Sequence, residues 1–379
     1  MTKITDVQVR SFPVNASWNN STIVAHQLSH WPEYFEQRIS FNYPDQANCI
    51  VKIIADDGNY GLGQVGCSKR MIGYIVENIF KPFIIGKDVS EIEKIWEVLY
   101  RSSIPIGRKG AIIEALSGVD IALWDLFGKV VKMPVYKLLG GAVRDKIPVY
   151  ATGNNIKLHL EMGFKDVKLA IPYGPAHGNF GMRENEKLVR ETREMIGEDG
   201  NIMLDCYMSW DEEYTCKMAN ILHKYNIRWI EEPLRPEFYA GYKRLRDKLN
   251  PMGIMITGGE HEYTRWGVRE ILEEASMDII QVDIWRTGGI SEFKKIAAMA
   301  SAYDTKVIPH GSGAPVFHAV INSIVSPFAE CIVVPDQFPL FKNEPEQKDG
   351  FVTLGDEPGL GYDLSDEAAK AFEKEEIWR

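Results

Sequence analysis

Beyond the pair Gly140-Gly141, short β-rich runs recur roughly every 25 residues, and most are followed by a stretch with helical spacing. The runs occupy 149–152, 167–171, 202–207, 228–232, 254–257, 279–284, 306–309 and 331–334. Eight strands alternating with helices is the count of a β/α barrel, in which the carboxyl ends of the strands converge on one pocket. The rival arrangement is an open doubly wound sheet, which places a glycine-rich turn directly after its first strand when it binds a dinucleotide. No such turn stands there. The segment GPAHGNFG (174–181) follows the second run, lacks the G-x-G-x-x-G spacing, and reads as a lid or a plain loop.

The chain upstream of the repeat has a different character. Residues 4–12 alternate polar and apolar, and 49–54 reads as a second strand leading into Asp56-Asp57-Gly58-Asn59, a hairpin turn. From Val89 the spacing becomes helical, with Ile92, Ile95, Trp96 and Leu99 on one face and a longer apolar helix from Ile112 to Phe127. An α+β unit is therefore expected. Between the first two strands, residues 14–44 are rich in Asn, His, Trp and Tyr without a period, too long for a simple connector. That segment carries His26, His30, Trp31, Tyr34 and Arg38 and reads as a functional loop, with His30 and Arg38 as candidate substrate contacts.

The 379 residues carry a formal net charge of −10, which argues against nucleic acid or an anionic membrane as partner. No apolar run of about 18 residues is present, and the first residues alternate where a signal peptide would have an apolar core. A soluble, cytoplasmic protein is expected. The five cysteines are scattered without C-x-x-C spacing and read as reduced thiols.

In a barrel, what each strand ends with matters most. Strand three ends near Asp205, strand four in Glu231, and strand five runs into Glu260, with separations of 26 and 29 residues, about one βα unit each. Three carboxylates aimed at one place repel each other unless protonated or neutralised. A bound cation removes the conflict, and an all-oxygen set favours Mg²⁺ over zinc. Asp283 and His310, 27 residues apart, fall on strands six and seven. An ionised aspartate beside one ring nitrogen fixes the tautomer and raises the basicity of the other, which makes His310 a general-base candidate. Glu330 falls at the eighth strand's position and, if protonated, could donate to a substrate oxygen. Any one of these alone is better explained as a solvated acid or a structural histidine. Glu232 and His261 read equally as neighbours of the ligands or, for His261, as a substrate contact. The set gains weight because its members recur at the period of the fold.

At this point the segments 115–141 (ALSGVDIALWDLFGKVVKMPVYKLLGG), MLDCYMS, WIEEPL, GEHEYTR, IIQVDIWRTGGISE and IPHGSGAPVFHAV matter as sequences. Together they resemble the enolase superfamily, and within it the mandelate racemase-like acid-sugar dehydratases, over nearly the whole chain. The resemblance implies an α/β fold: a modified TIM barrel, (β/α)₇β, under an α+β capping domain made by the N-terminal part and the C-terminal tail. The corresponding boundaries are 1–140 for the cap, 141–345 for the barrel and 346–379 for the returning tail. It also implies Asp205, Glu231 and Glu260 as Mg²⁺ ligands, His310 with Asp283 as the base dyad, and Glu330 as hydrogen-bond donor to a substrate carboxylate. A small sugar acid is the implied partner, and homo-oligomers are common in the family. Many members carry Lys-x-Lys on the second barrel strand, whereas this chain reads Lys168-Leu169-Ala170. Lys168 is left as a candidate substrate contact, and a two-base racemase loses one base. A one-base dehydration follows, most similar to the branch acting on L-rhamnonate, although the loop carrying His30 and Arg38 and the stretch Ile284-Trp285-Arg286-Thr287 depart from that branch. A dehydratase for another aldonate (L-lyxonate, L-mannonate or galactonate), a racemase or epimerase with an unrecognised second base, and a non-catalytic sugar-acid binder are the alternatives.

Overall fold

The computed structural model describes residues 2–12, 24–35, 46–333 and 338–374. Its first unit is an antiparallel sheet of β1 (Ile4–Phe12), β2 (Gln46–Ala55) and β3 (Tyr60–Ser68), ordered β1-β2-β3. The predicted turn joins β2 to β3, with Gly58 at φ +86° and its N–H bonded to Ala55. After a helical stretch at 69–84 come α1 (Ile92–Ser103) and α2 (Ala111–Val131), and both present the predicted apolar faces to a shared core. Helix α2 comes so close to β3 that a Cβ at Gly61 or Gly63 would collide with the α2 backbone.

Among the described residues, eight parallel strands form the second unit: β4 (Ile147–Thr152), β5 (Val167–Ala170), β6 (Ile202–Asp205), β7 (Ile227–Glu231), β8 (Met255–Gly258), β9 (Ile279–Ile280), β10 (Lys306–Val307) and β11 (Ala329–Ile332). Each of β4 to β9 pairs with its successor, and β11 returns to β4. At the seam between β10 and β11, the Gly311 N–H donates to Glu330 and the Ile332 N–H to Ser312 Oγ. The intervening helices are α3 (Ile156–Glu161), α4 (Gly178–Ile196), α5 (Glu212–Leu222), α6 (Tyr239–Leu249), α7 (Thr264–Glu273), α8 (Gly289–Ser301) and α9 (Ala314–Asn322).

All eight predicted runs meet a strand, and the last three differ most in extent, the seventh ending already at Val307. The sixth shrinks to two residues, because after Ile280 the chain leaves the ladder and returns only as the isolated bridge between Asp283 and His310. The eighth begins at Ala329, which places Glu330 inside the strand. Segment 174–181 is not a loop throughout: Pro175–His177 form one 3₁₀ turn and Gly178 opens α4.

The tail comes back to the first unit. After β12 (Phe341–Lys342) and β13 (Gln347–Lys348), β14 (Phe351–Val352) pairs antiparallel with β4. The Leu360 N–H then bonds to Asp125 of α2, and the Tyr362 hydroxyl donates to the Leu62 carbonyl of β3. Next, β15 (Asp363–Leu364) pairs with β12, and α10 (Asp366–Glu373) ends the described chain. The two units also meet at the N-terminus of α8. There Trp96 Nε1 donates to the Gly288 carbonyl, Ser117 Oγ accepts from Gly288 N–H, Asp120 accepts from Ser291 N–H and Oγ, and Trp124 Nε1 donates to Ser291 Oγ. No helix among the described residues is long and apolar enough to cross a membrane.

Candidate active site

Inside the barrel, Tyr150, Met203, Trp229, Ile279 and Ile308 pack into an apolar floor. One pleat higher on the same strands the side chains become polar or charged, namely Thr152, Asp205, Glu231, Gln281 and His310, since alternate residues face inward. Strand register sets Asp205 beside Glu231, and Ala170 beside Asp205. Glu260 follows β8 by two residues, delivered by Gly259 at φ +115°, where nearly any other residue would be strained. The oxygens that Asp205, Glu231 and Glu260 can offer all lie within 4.8 Å of one another. Glu232, Glu260 and His261 form a second group of the same compactness that shares Glu260.

The electrostatics fit a cation at the first group. Burial raises the pKa values of the Asp205 and Glu231 carboxyls, with Lys168 opposing and their carboxylate neighbours reinforcing the rise. For Glu260 burial acts in the same sense, but His310, His261 and Arg286 outweigh it and hold its carboxyl below the usual range. Three close carboxyl groups, two of them hard to ionise together, are an oxygen donor set whose conflict a hard divalent cation relieves.

Lys168 is fully buried, with its ammonium 2.8 Å from Glu231, 2.9 Å from Glu330 and 3.7 Å from Asp205. Burial works against its charge, yet the carboxylates raise its pKa well above the ordinary lysine value. It is a fixed internal cation. Glu231 is fully engaged, since its second oxygen accepts from Gln281 Nε2 at 2.9 Å and Trp229 Nε1 at 3.3 Å.

On the other side of Glu260 stands the dyad. His310 Nδ1 lies 2.8 Å from Asp283 Oδ2, and His310 Nε2 lies 3.2 Å from Glu260 Oε2. Burial opposes charge on the ring, but Glu260, Glu330 and Asp283 outweigh it and hold the imidazole pKa at about 10. Asp283 is oriented by the Trp285 N–H at 2.7 Å. Arg286 completes a closed ring, with its guanidinium 3.3 Å from Glu260 and 3.7 Å from Asp283. Reasoning from the sequence treated Arg286 only as a departure from a pattern. A cation three residues beyond the dyad aspartate was the signal available.

Glu330 accepts from Gly311 N–H at 2.7 Å, from the Thr152 hydroxyl and from Lys168. Burial would raise its pKa, but Lys168, His310 and these hydrogen bonds hold its carboxyl below the usual range. In this arrangement it is an acceptor, and donation to a substrate would require a proton it does not hold here. His261 pairs with Glu232 at 2.7 Å, lies 3.4 Å from Glu260 and packs edge-on against Tyr207. The segment 24–35 docks over the barrel mouth, where Ala25 N–H donates to the Ile171 carbonyl and Phe35 packs on Tyr173 and His177. Within it His30 is exposed and its ring meets Trp31. Arg38 lies outside the described residues. A cavity of about 980 Å³ opens beside the dyad, lined by Asp283, His310 and Trp285, by Glu344 next to Trp285, and by Asn48 and Gln64 of the first unit.

Residues 154–368 match the enolase C-terminal domain-like family, and residues 32–140 match the N-terminal domain of the mandelate racemase / muconate lactonizing enzyme family. The chain belongs to the enolase superfamily. Among solved structures of the superfamily, rhamnonate dehydratase from Gibberella zeae, complexed with Mg, is similar at 34% identity and a TM-score of 0.92, over 98% of this chain and 96% of that one. The 3,6-anhydro-D-galactonate cycloisomerase from Zobellia galactanivorans is similar at 29% identity and a TM-score of 0.81, over 98% and 99% of the two chains. A racemase from Streptomyces coelicolor A3(2) with bound magnesium, at 24% identity and a TM-score of 0.82 over 98% and 99%, shares the superfamily fold. The neighbours thus include dehydratase, cycloisomerase and racemase, and the dehydratase has the highest identity of the three.

Proposed function

We propose that the chain is a Mg²⁺-dependent dehydratase of sugar acids, with L-rhamnonate as first substrate, in which 1–140 with the tail 346–379 caps a catalytic barrel at 141–345. The observation that carries the reading is a single His–Asp dyad beside a three-carboxylate set, with alanine at position 170 where many relatives place a second basic side chain. Similarity to the Gibberella zeae rhamnonate dehydratase supports the choice of substrate.

Asp205, Glu231 and Glu260 would hold the ion. When bound, it supplies positive charge against the negative charge that develops on the substrate carboxylate. Asp283 holds the His310 Nδ1–H, so the working nitrogen is Nε2. Glu260 at 3.2 Å holds the ring protonated, so with that carboxylate's charge taken up by the ion Nε2 would be a free base that takes the proton from C2, breaking the C–H bond, while the electron pair is delocalised toward the carboxylate. The resulting imidazolium returns the same proton to the 3-hydroxyl, the C3–O bond breaks, and water leaves. The enol that remains tautomerises to a 2-keto-3-deoxy acid. Lys168 takes no proton in this sequence, because the carboxylates hold it charged.

The test is a screen of purified protein with Mg²⁺ against hexonates, 6-deoxyhexonates and pentonates for semicarbazide-reactive product. L-Rhamnonate should give the highest kcat/KM. Recovered substrate that carries solvent deuterium with inverted configuration, and no keto acid, would replace the dehydratase by a racemase.

A further inference from the structure

The sequence His310-Gly311-Ser312-Gly313 sets two glycines directly after the base, both at positive φ. Each makes room for a different side chain. A Cβ at Gly311 would run into the benzo edge of the Trp285 indole, and one at Gly313 would stand 2.9 Å from Glu344 Oε1 and 3.5 Å from Trp285 Cζ2. An aromatic face and a carboxylate are therefore seated side by side, next to the base and on the wall of the large cavity. Phe317 and Ile332 continue the apolar side, while Asn48 and Gln64 face it from β2 and β3. Glu344 arrives from the segment beyond the barrel, exposed and lining the cavity.

Resting on the proposed function, we propose that Trp285 and Glu344 form the subsite for the part of the sugar acid beyond C3. A polyhydroxylated chain has C–H faces that pack on an aromatic ring and hydroxyls that donate to a carboxylate. A negatively charged acceptor binds hydroxyls more strongly than a neutral one and repels a second carboxylate. The subsite therefore suits long aldonates with a neutral far end and discriminates against aldarates. Glu344 also lies against Gly313, the N-cap residue of α9. A purely structural role there would affect all substrates alike, which the experiment exploits.

Glu344→Gln and Trp285→Leu are assayed with Mg²⁺ on four-, five- and six-carbon aldonates of matched C2 and C3 configuration, by kcat/KM and by calorimetric binding. For Glu344→Gln the loss in kcat/KM on the six-carbon acid should be about tenfold greater than on the four-carbon acid and should lie mainly in KM. Trp285→Leu should show the same dependence on length, and Glu344→Gln should narrow the preference for aldonates over aldarates. If the wild type converts aldonates but both variants lose equally at every length, the subsite is wrong and the dehydratase reading stands. If the wild type binds long aldonates more tightly than short ones without converting them, and Glu344→Gln removes that difference, the subsite stands and the reaction is wrong. A wild type that neither binds nor converts any aldonate overturns both.

Discussion

Replacing Lys168 with Met tests whether an internal cation holds the carboxylate cluster together. The side chain is fully buried and within 3 Å of both Glu231 and Glu330. Methionine fills similar volume but leaves those carboxylates without their counter-charge. Removing one partner of a buried ion pair costs about 3–5 kcal/mol. Part of that cost can be avoided by protonation. The Glu231 carboxyl already titrates at about 8, well above an unfolded glutamate, and loss of the ammonium raises it further. A carboxyl with a raised folded-state pKa contributes stability at low pH that is lost as pH climbs through that value. The gap between variant and wild type should therefore be smallest near pH 6 and widest near pH 9. Mg²⁺ provides a second counter-charge at the same carboxylates, and a ligand present at about 100 times its dissociation constant adds about 2.7 kcal/mol. The assay is urea unfolding of both proteins at pH 6, 7.5 and 9, with Mg²⁺ and with EDTA. Mg²⁺ should close part of the gap at pH 9 and little of it at pH 6. A variant as stable as the wild type at pH 9 in EDTA, or a gap indifferent to pH and Mg²⁺, refutes the argument.

His310→Asn should abolish both dehydration and exchange of the substrate α-hydrogen with solvent deuterium while Mg²⁺ binding by calorimetry persists; continued exchange would assign the base elsewhere. Asp283→Asn should retain partial activity with the acidic limb of its pH–rate profile moved to lower pH, because the anion at 2.8 Å raises the imidazole pKa. Glu231→Gln should weaken Mg²⁺ binding in calorimetry by about tenfold or more while the urea midpoint in EDTA holds or rises, since the lost charge was repelling its neighbours. Asp125→Ala should lower stability by about 3–5 kcal/mol and expose the tail to limited proteolysis, because that buried carboxylate pairs with Lys129 and accepts from Leu62 and Leu360.

The periodic parts of the chain were the readable ones. Buried parallel strands are short apolar runs, and the helices between them impose a fixed spacing, so residues 205, 231, 260, 283 and 310 could be aligned before any coordinates. Helix α2 was equally plain from its apolar faces. Aperiodic features were not. The early end of β9 arises where Asp283 and Trp285 turn the chain, a local hydrogen bond invisible to hydrophobic pattern. A lone lysine on a strand gives no sign of whether it faces a ligand or three carboxylates, so Lys168 read as a substrate contact. Glu344 lies past the last barrel strand at no repeat distance from the base, and only the fold shows why Gly313 leaves space for it.

The hydrogen bonds at the head of α8 restrict how the pocket can be entered. Trp96, Ser117, Asp120 and Trp124 grip residues 288–291, the turn that follows directly on Arg286. Swinging the first unit away as a rigid body would strand several of these buried groups at about 1–3 kcal/mol each, and would loosen the turn behind the dyad as well. A hinge between the units is therefore the wrong image of this molecule. The segment 24–35 lies at the barrel mouth itself, with the Ala25 N–H on the Ile171 carbonyl and Phe35 on Tyr173 and His177, so the effect of substrate would be read there first. Amide hydrogen exchange should be slow and uniform across α2 and the start of α8, and substrate should slow exchange in 24–35 while leaving the head of α8 unchanged.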